Sequence, residues 1–339
     1  LLWQRIRDED APMPPAEEHD ALSAAQIGIL GRWLDEGASY APHWAYVVPA
    51  KVPLPEVRER GWPRDEIDHY VLARLEVEGL SPARDADPVT LLRRLTFDLS
   101  GLPPTAVAVE RFVAASRVDE QAALERAVDQ LLASHHYGER MAVPWLDLVR
   151  YADTVGYHGD QEHNVWPYRE WVIRAFNDNM SFDQFTIEQL AGDLLPEPTQ
   201  DQLIATGYNR LLQTTHEGGL QLAEYRAIYL ADRVRNVSSV WMGATLGCAQ
   251  CHDHKYDPFT ARDFYAFGAF FADIDDEDHL RNPYNGLNSS PTRRVPEMRV
   301  VTPEIKDRRA ALSQARVEVA ADLEAAIAAL PTQQAAWED

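Results

Sequence analysis

The chain has 339 residues, 45% of them hydrophobic, enough to bury the core of one large domain with further pieces attached. Against 32 Lys and Arg stand 54 Asp and Glu, a formal net charge of −22. A surface of that sign repels the nucleic-acid backbone and anionic membranes, so neither is an expected partner.

No run of residues approaches the roughly 20 apolar positions of a membrane span. The opening stretch Leu1-Leu2-Trp3-Gln4-Arg5-Ile6 is already helical in pattern and has no leader, so the chain is expected to be a fragment or processed product. Residues 1–40 read as the tail of another domain: Met13-Pro14-Pro15, then a helix from Ser23, with Ile27, Leu30 and Leu34 on one face and Gly37 as its stop. Residues 41–61 form an extended, Pro-punctuated linker through His43-Trp44-Ala45. The main domain, residues 62–278, opens with helices predicted over 67–78, 90–99, 105–115, 120–133 and 138–151.

A polar loop follows from Asp153 to Asn164, holding His158, Asp160 and His163, and such a loop inside a compact domain is a functional candidate. Further helices are predicted over 168–177, 181–192 (capped by Ser181) and 202–209. The segment Gln213-Thr214-Thr215-His216-Glu217-Gly218-Gly219 has two glycines that permit close backbone approach. A long helix is predicted over 222–246, about 35 to 40 Å in length, with Gly247 as its terminator. Thr260 caps a helix over 261–271 rich in phenylalanine, and Asp273–Asp278 is an acidic loop. Residues 279–302 are an irregular connector. Residues 303–339 form a helical or coiled-coil arm with Ile305, Leu312, Val319, Leu323 and Ile327 at heptad-like spacing. The fold class is mainly α: an irregular multi-helix domain with long loops and a C-terminal helical arm.

Cysteine usage carries the sharpest chemistry. The two cysteines of the chain lie three residues apart in Gly247-Cys248-Ala249-Gln250-Cys251-His252-Asp253-His254. Cys-x-x-Cys-His is the arrangement that binds a c-type haem: two thiols one turn apart meet the two vinyl groups, and the next residue is the proximal iron ligand. Three other readings share the residues. A thioredoxin-type redox pair prefers a helix start inside a βαβ unit. A zinc site from Cys248, Cys251, His252 and His254 packs four ligands into seven residues, which closes poorly into a tetrahedron. A local disulfide is the plainest alternative.

The chain resembles the planctomycete-type multidomain cytochromes, whose large domain of unknown function carries a haem-c motif. The resemblance rests on Met13-Pro14-Pro15, His43-Trp44-Ala45, Leu91 to Pro104, Tyr137-Gly138-Glu139-Arg140, Trp145 to Gly156, Phe182 to Gly192, Glu217-Gly218-Gly219 and Trp241 through Phe271. It implies one covalent haem c held by Cys248, Cys251 and His252, and an exported, periplasmic setting. It also implies that residues 1–40 end a small cytochrome domain with Met13 at its axial position, and that the arm leads to a further C-terminal domain. The expected partners are other domains of the full-length chain and a redox protein.

Three functions follow as expectations. The first is electron transfer, with a sixth iron ligand drawn from His158, His163 or His216 and less favourably Met180 or Met242; His158 is the choice. His254 lies too near in sequence to cross to the far side of the iron. The second is a haem enzyme of peroxidase type, with His158 and Asp160, or His216 and Glu217, as acid/base groups and possible carbohydrate as substrate. The third is a non-catalytic scaffold. Arg226, Arg233 and Arg235 on the long helix are candidates to neutralise haem propionates under any of them.

Overall fold

The computed structural model describes residues 2–8, 10–11, 13–15, 17–41, 43–157, 160–215, 219–274, 278–281 and 291–338. It is mainly helical, and among these residues backbone pairing outside helices is confined to isolated bridges. The chain divides into two compact units, Leu1–Asp85 and Ala86–Asp339.

The first unit holds α1 (Leu2–Arg5), α2 (Ala24–Asp35) and α3 (Glu66–Val77). The Ser23 hydroxyl accepts from Gln26 N–H and the Gln26 side chain answers at Ser23 N–H, a capping box that fixes the start of α2. Gly37, at φ +96°, closes the helix in the left-handed conformation that glycine adopts most cheaply. Asp65 caps α3.

The second unit begins with α4 (Pro88–Ser100), α5 (Ala106–Ser116) and α6 (Glu120–Leu132), capped by Asp87, Thr105 and Asp119. They pack around Leu92, Phe112 and Ala123. Next come α7 (His135–Leu148), α8 (Trp166–Asn177), α9 (Phe182–Ala191) and α10 (Gln200–Ala205), which runs into a 3₁₀ turn, Thr206–Arg210. Their shared core contains Val149, Tyr168, Trp171, Val172, Phe185, Tyr208 and Val237. Gln189, fully buried among them, is satisfied on both sides: its Oε1 accepts from Trp145 and Tyr168, and its Nε2 donates to Phe185 C=O.

Helix α7 differs from its predicted limits at both ends. Ser134 caps it, so Gly138 lies inside rather than at its start. The reason for glycine there is contact: a Cβ at 138 would stand 2.4 Å from Ile173 C=O on α8. At the other end Tyr151 N–H reaches Leu146 C=O and Arg150 N–H reaches Asp147 C=O, a Schellman closure. The left-handed residue of that closure is Arg150, φ +62°. Ser181 stands at the start of α9, but its side chain makes no capping bond to the helix.

Helix α11 (Leu222–Trp241) is shorter than predicted. It ends at Gly243, φ +58°, with Ala244 N–H reaching back to Ser238 C=O, so Gly243 and not Gly247 is the terminator. The helix is thus about 30 Å long. After it come a 3₁₀ turn, Leu246–Gln250, then α12 (Ala261–Gly268), α13 (Asp278–Arg281) and α14 (Pro303–Glu338). Thr260 caps α12 as expected, and Asp263 completes a capping box with it. The heptad positions of α14 are exposed, Val319 at 66% and Leu312 at 60%, so its apolar stripe is uncovered.

Candidate functional site

The Cys-x-x-Cys-His residues begin on the 3₁₀ turn that follows α11 and run just past its end. Cys248 lies within this turn, Leu246–Gln250, and Cys251 is the residue that closes it. Both thiols are exposed and free. Leu246, before the first cysteine, and Ala249, between the two, are buried with Ala231 and Val234 of α11 and Phe264 of α12. Alternation of buried and exposed positions within one short turn is what turns both sulfurs outward. Gly247 lets the turn lie close to α11, because a Cβ there would meet Arg235 at 3.2 Å.

His252 is exposed, and its Nδ1 stands 2.7 Å from Asp253 C=O. A carbonyl only accepts, so Nδ1 carries the proton and Nε2 carries the lone pair. His254 is in the reverse state. Its Nδ1 accepts from Asp257 N–H at 2.8 Å and Tyr256 N–H at 3.2 Å, and its side chain is 8% exposed. Asp253 accepts from Ala261 N–H at the start of α12. The residues after His252 therefore build the loop, while His252 itself presents a ring nitrogen outward.

Of the arginines singled out on α11, Arg235 is the one beside the turn, donating to the Gln250 side chain. Tyr265 of α12 donates to Gln250 C=O at 3.0 Å. Arg233 is buried and donates to Asn209 C=O, and Arg226 is exposed. Met242 is exposed at the end of α11, Met180 packs against the main core, and Met13 belongs to the first unit. His158, His216 and Glu217 lie outside the described residues. Asp160 accepts from Gly156 N–H at 2.8 Å, and bonds from Thr154 and Gly156 hold its carboxyl below the usual range.

A second constellation lies in the same unit. A cavity of about 370 Å³ is walled by Arg150, Thr154, His163, Arg210, Gln213 and Asp232, with Leu211, Leu212 and Val165 as its apolar side. None of Cys248, Cys251 and His252 lines it. Arg150 donates through Nη1 to both carboxylate oxygens of Asp232 on α11. Arg210 is fixed by donating to Arg294 C=O at 2.6 Å, and the Arg294 guanidinium donates to Thr214 and Thr292. Burial, followed by the charges of Arg294 and Arg210, pushes the His163 imidazole down to about 4, so it is neutral near pH 7. His163 pairs by its backbone with Thr292 and stands in this wall, not among the motif residues.

The sequence singled out His163 only as a possible iron ligand and passed over Arg150, Arg210 and Asp232. Asp232 did leave a signal. It continues the stripe Tyr225, Tyr229, Asn236 at helical spacing, where a carboxylate on a core-facing row calls for a partner.

Neither the curated proteins nor the solved structures contain a match to the chain. A family model, PSCyt2, described as "Protein of unknown function (DUF1549)", matches residues 66–276. That span is well over half the chain and takes in both the Cys-x-x-Cys-His turn and the Arg150 cavity, and so the chain belongs to the PSCyt2 family, whose function is unknown.

Proposed function

We propose that the chain is a c-type cytochrome module that holds one covalent haem through Cys248, Cys251 and His252 and passes electrons within an exported multidomain protein. The observation that carries this reading is the tautomer of His252. With Nδ1–H committed to Asp253 C=O, the Nε2 lone pair is free beside two exposed thiols. Proximal histidines are oriented in this way, by a hydrogen bond from the other ring nitrogen.

Both thiols are exposed and so can be reached from solvent. Cys248 and Cys251 would hold the haem through two thioether bonds. The haem, once bound, supplies a one-electron couple. The chain's own residues would set its surroundings: His252 would hold the iron through Nε2, Asp253 C=O orients the ring, and Arg235 brings a positive charge beside the turn through Gln250. A zinc reading is weakened because His254 Nδ1 is already occupied by two backbone N–H groups. Haem c is attached outside the cytoplasm, so the proposal carries an extracytoplasmic location and a redox partner with it.

The test is expression with the cytochrome c maturation machinery, followed by a pyridine haemochrome spectrum and intact mass of the denatured chain. One haem retained after denaturation supports the proposal. A chain that emerges with unmodified mass while a control cytochrome is matured in the same cells overturns it.

A further inference from the structure

We propose that α14 pairs antiparallel with α14 of a second copy of this chain, as a two-stranded coiled coil.

Helix α14 is held at its base and bare beyond it. Gln200 of α10 holds both backbone groups of Val301, accepting from its N–H at 3.1 Å and donating to its C=O at 3.3 Å. The Thr302 hydroxyl accepts from Ile305 N–H and so caps the helix. From Pro303 to Ala328 every residue is exposed. Large apolar side chains nevertheless recur along it: Ile305, Leu312, Val319, Leu323 and Leu330 are between 42% and 66% exposed. Their steps of seven and four residues are those of the a and d positions of a heptad, sustained for about three to four heptads. Most helical stability in proteins comes from packing such a face.

Two arginines in the same stripe decide the direction of the partner. Ile305, Leu312, Val319 and Ala326 stand at d, and Arg309, Arg316, Leu323 and Leu330 at a. A parallel pair in register sets each arginine against its own copy, which puts like charges together twice in the seam. An antiparallel pair centred between Val317 and Glu318 matches every layer. Ile305 then meets the partner's Leu330, and Leu312 meets the partner's Leu323. Arg309 meets the partner's Ala326, and Arg316 the partner's Val319. Each arginine can lay its stem along apolar surface and carry its charge to the edge.

Charge along the helix points the same way. Up to the centre, Lys306, Arg308, Arg309 and Arg316 outnumber Glu304 and Asp307. Beyond it, Glu318, Asp322, Glu324, Glu338 and Asp339 stand without a lysine or arginine. Antiparallel pairing lays the basic half of each copy on the acidic half of the other. Arg308 and Asp322 are both g positions, and g flanks face each other in an antiparallel pair. A chain of net charge −22 repels its own copy, so self-association needs local complementarity of this kind.

The test is sedimentation equilibrium of the full 339-residue chain under reducing conditions, which keep Cys248 and Cys251 from linking copies. A dimer with a Kd of about 100 μM or tighter is expected. Leu312→Glu and Leu323→Glu, changes at exposed positions, are each expected to weaken it about tenfold or more. Arg308→Glu with Arg309→Glu is expected to weaken it by about tenfold, and adding Asp322→Arg with Glu324→Arg to the same chain is expected to restore it. The two pairs of positions lie about 20 Å apart on one helix, so restoration reads contact between copies that run in opposite directions. A chain whose Kd is weaker than about 100 μM overturns the proposal. So does a dimer that Leu312→Glu leaves intact, or one that the charge exchange fails to restore. Circular dichroism of each variant confirms that the helix is retained, and the Leu312→Glu result decides alone if the exchanged chain loses helix.

Discussion

Arg150 and Asp232 are joined across 82 positions of sequence, the first closing α7 and the second projecting from the middle of α11. Both side chains are about one-third exposed, 36% and 31%, so solvent screens much of their attraction. What the pair fixes is geometry: it ties a helix end to a helix middle and sets the width of the cavity between them. The backbone of Arg150 supplies a way to separate strain from side-chain chemistry. Arg150→Ala keeps the left-handed Cβ and loses the guanidinium, whereas Arg150→Gly loses both. Urea denaturation is expected to find the glycine variant more stable than the alanine variant by about 1 kcal/mol. Equal stabilities would mean that the closure is not strained.

His163 predicts a pH effect. Its folded value, about 4, lies below the ordinary histidine value of 6.5. The unfolded chain therefore binds the extra proton first as pH falls, and the stability that the neutral ring confers is complete above about 6.5 and lost towards 4. Between about pH 7 and pH 5 the wild type should lose about 2 kcal/mol that His163→Gln does not lose. Denaturation curves of both proteins at the two pH values give the double difference, and a difference near zero would place the ring in a solvated setting.

Gly138 should tolerate no side chain. A Cβ there meets Ile173 C=O at 2.4 Å and the Asn177 carboxamide at 2.5 Å, and Asn177 Oδ1 already accepts from Gly138 N–H. The neighbours are backbone and a bonded amide, so α7 and α8 must part. Gly138→Ala is expected to cost about 2 to 3 kcal/mol, read as a lowered Tm, although alanine ordinarily favours a helix over glycine.

The two thiols predict their own reactivity. Exposed and unpaired, Cys248 and Cys251 of the haem-free chain should both take iodoacetamide under native conditions, visible as two additions by mass spectrometry. In chain matured with haem both should be protected, and protection should persist after denaturation, because thioether sulfur is no longer nucleophilic. Alkylation of both after maturation would separate these cysteines from haem attachment.

Local chemistry was the legible part of the sequence. Ser23, Thr105 and Thr260 announced the starts of their helices because a hydroxyl cap acts within one turn of chain. The mainly helical class followed from apolar spacing that recurs along the whole main domain. The end of α11 was misread because apolar residues continue through Ala244 and Leu246, and spacing alone does not reveal that Gly243 turns the chain so that these two serve a different small core. Gly138 was misplaced because the carbonyl that demands it is 35 positions away. The Arg150 cavity was invisible for the same reason, since its wall is assembled from the end of α7, the loop at His163, the 3₁₀ turn at Arg210 and the middle of α11. The thiol-and-histidine turn, by contrast, is contiguous and was readable whole.

The break at Gly243 also divides the molecule's cooperativity. The turn bearing Cys248 rests on Ala231, Val234, Ala244, Leu246, Ala249 and Phe264, a small cluster that meets the larger one organised by Trp171 and Tyr208 through Phe267. Small clusters of this kind open as local units, at a fraction of the free energy of global unfolding. Amides of residues 244–252 are accordingly expected to exchange with solvent sooner than those of α8.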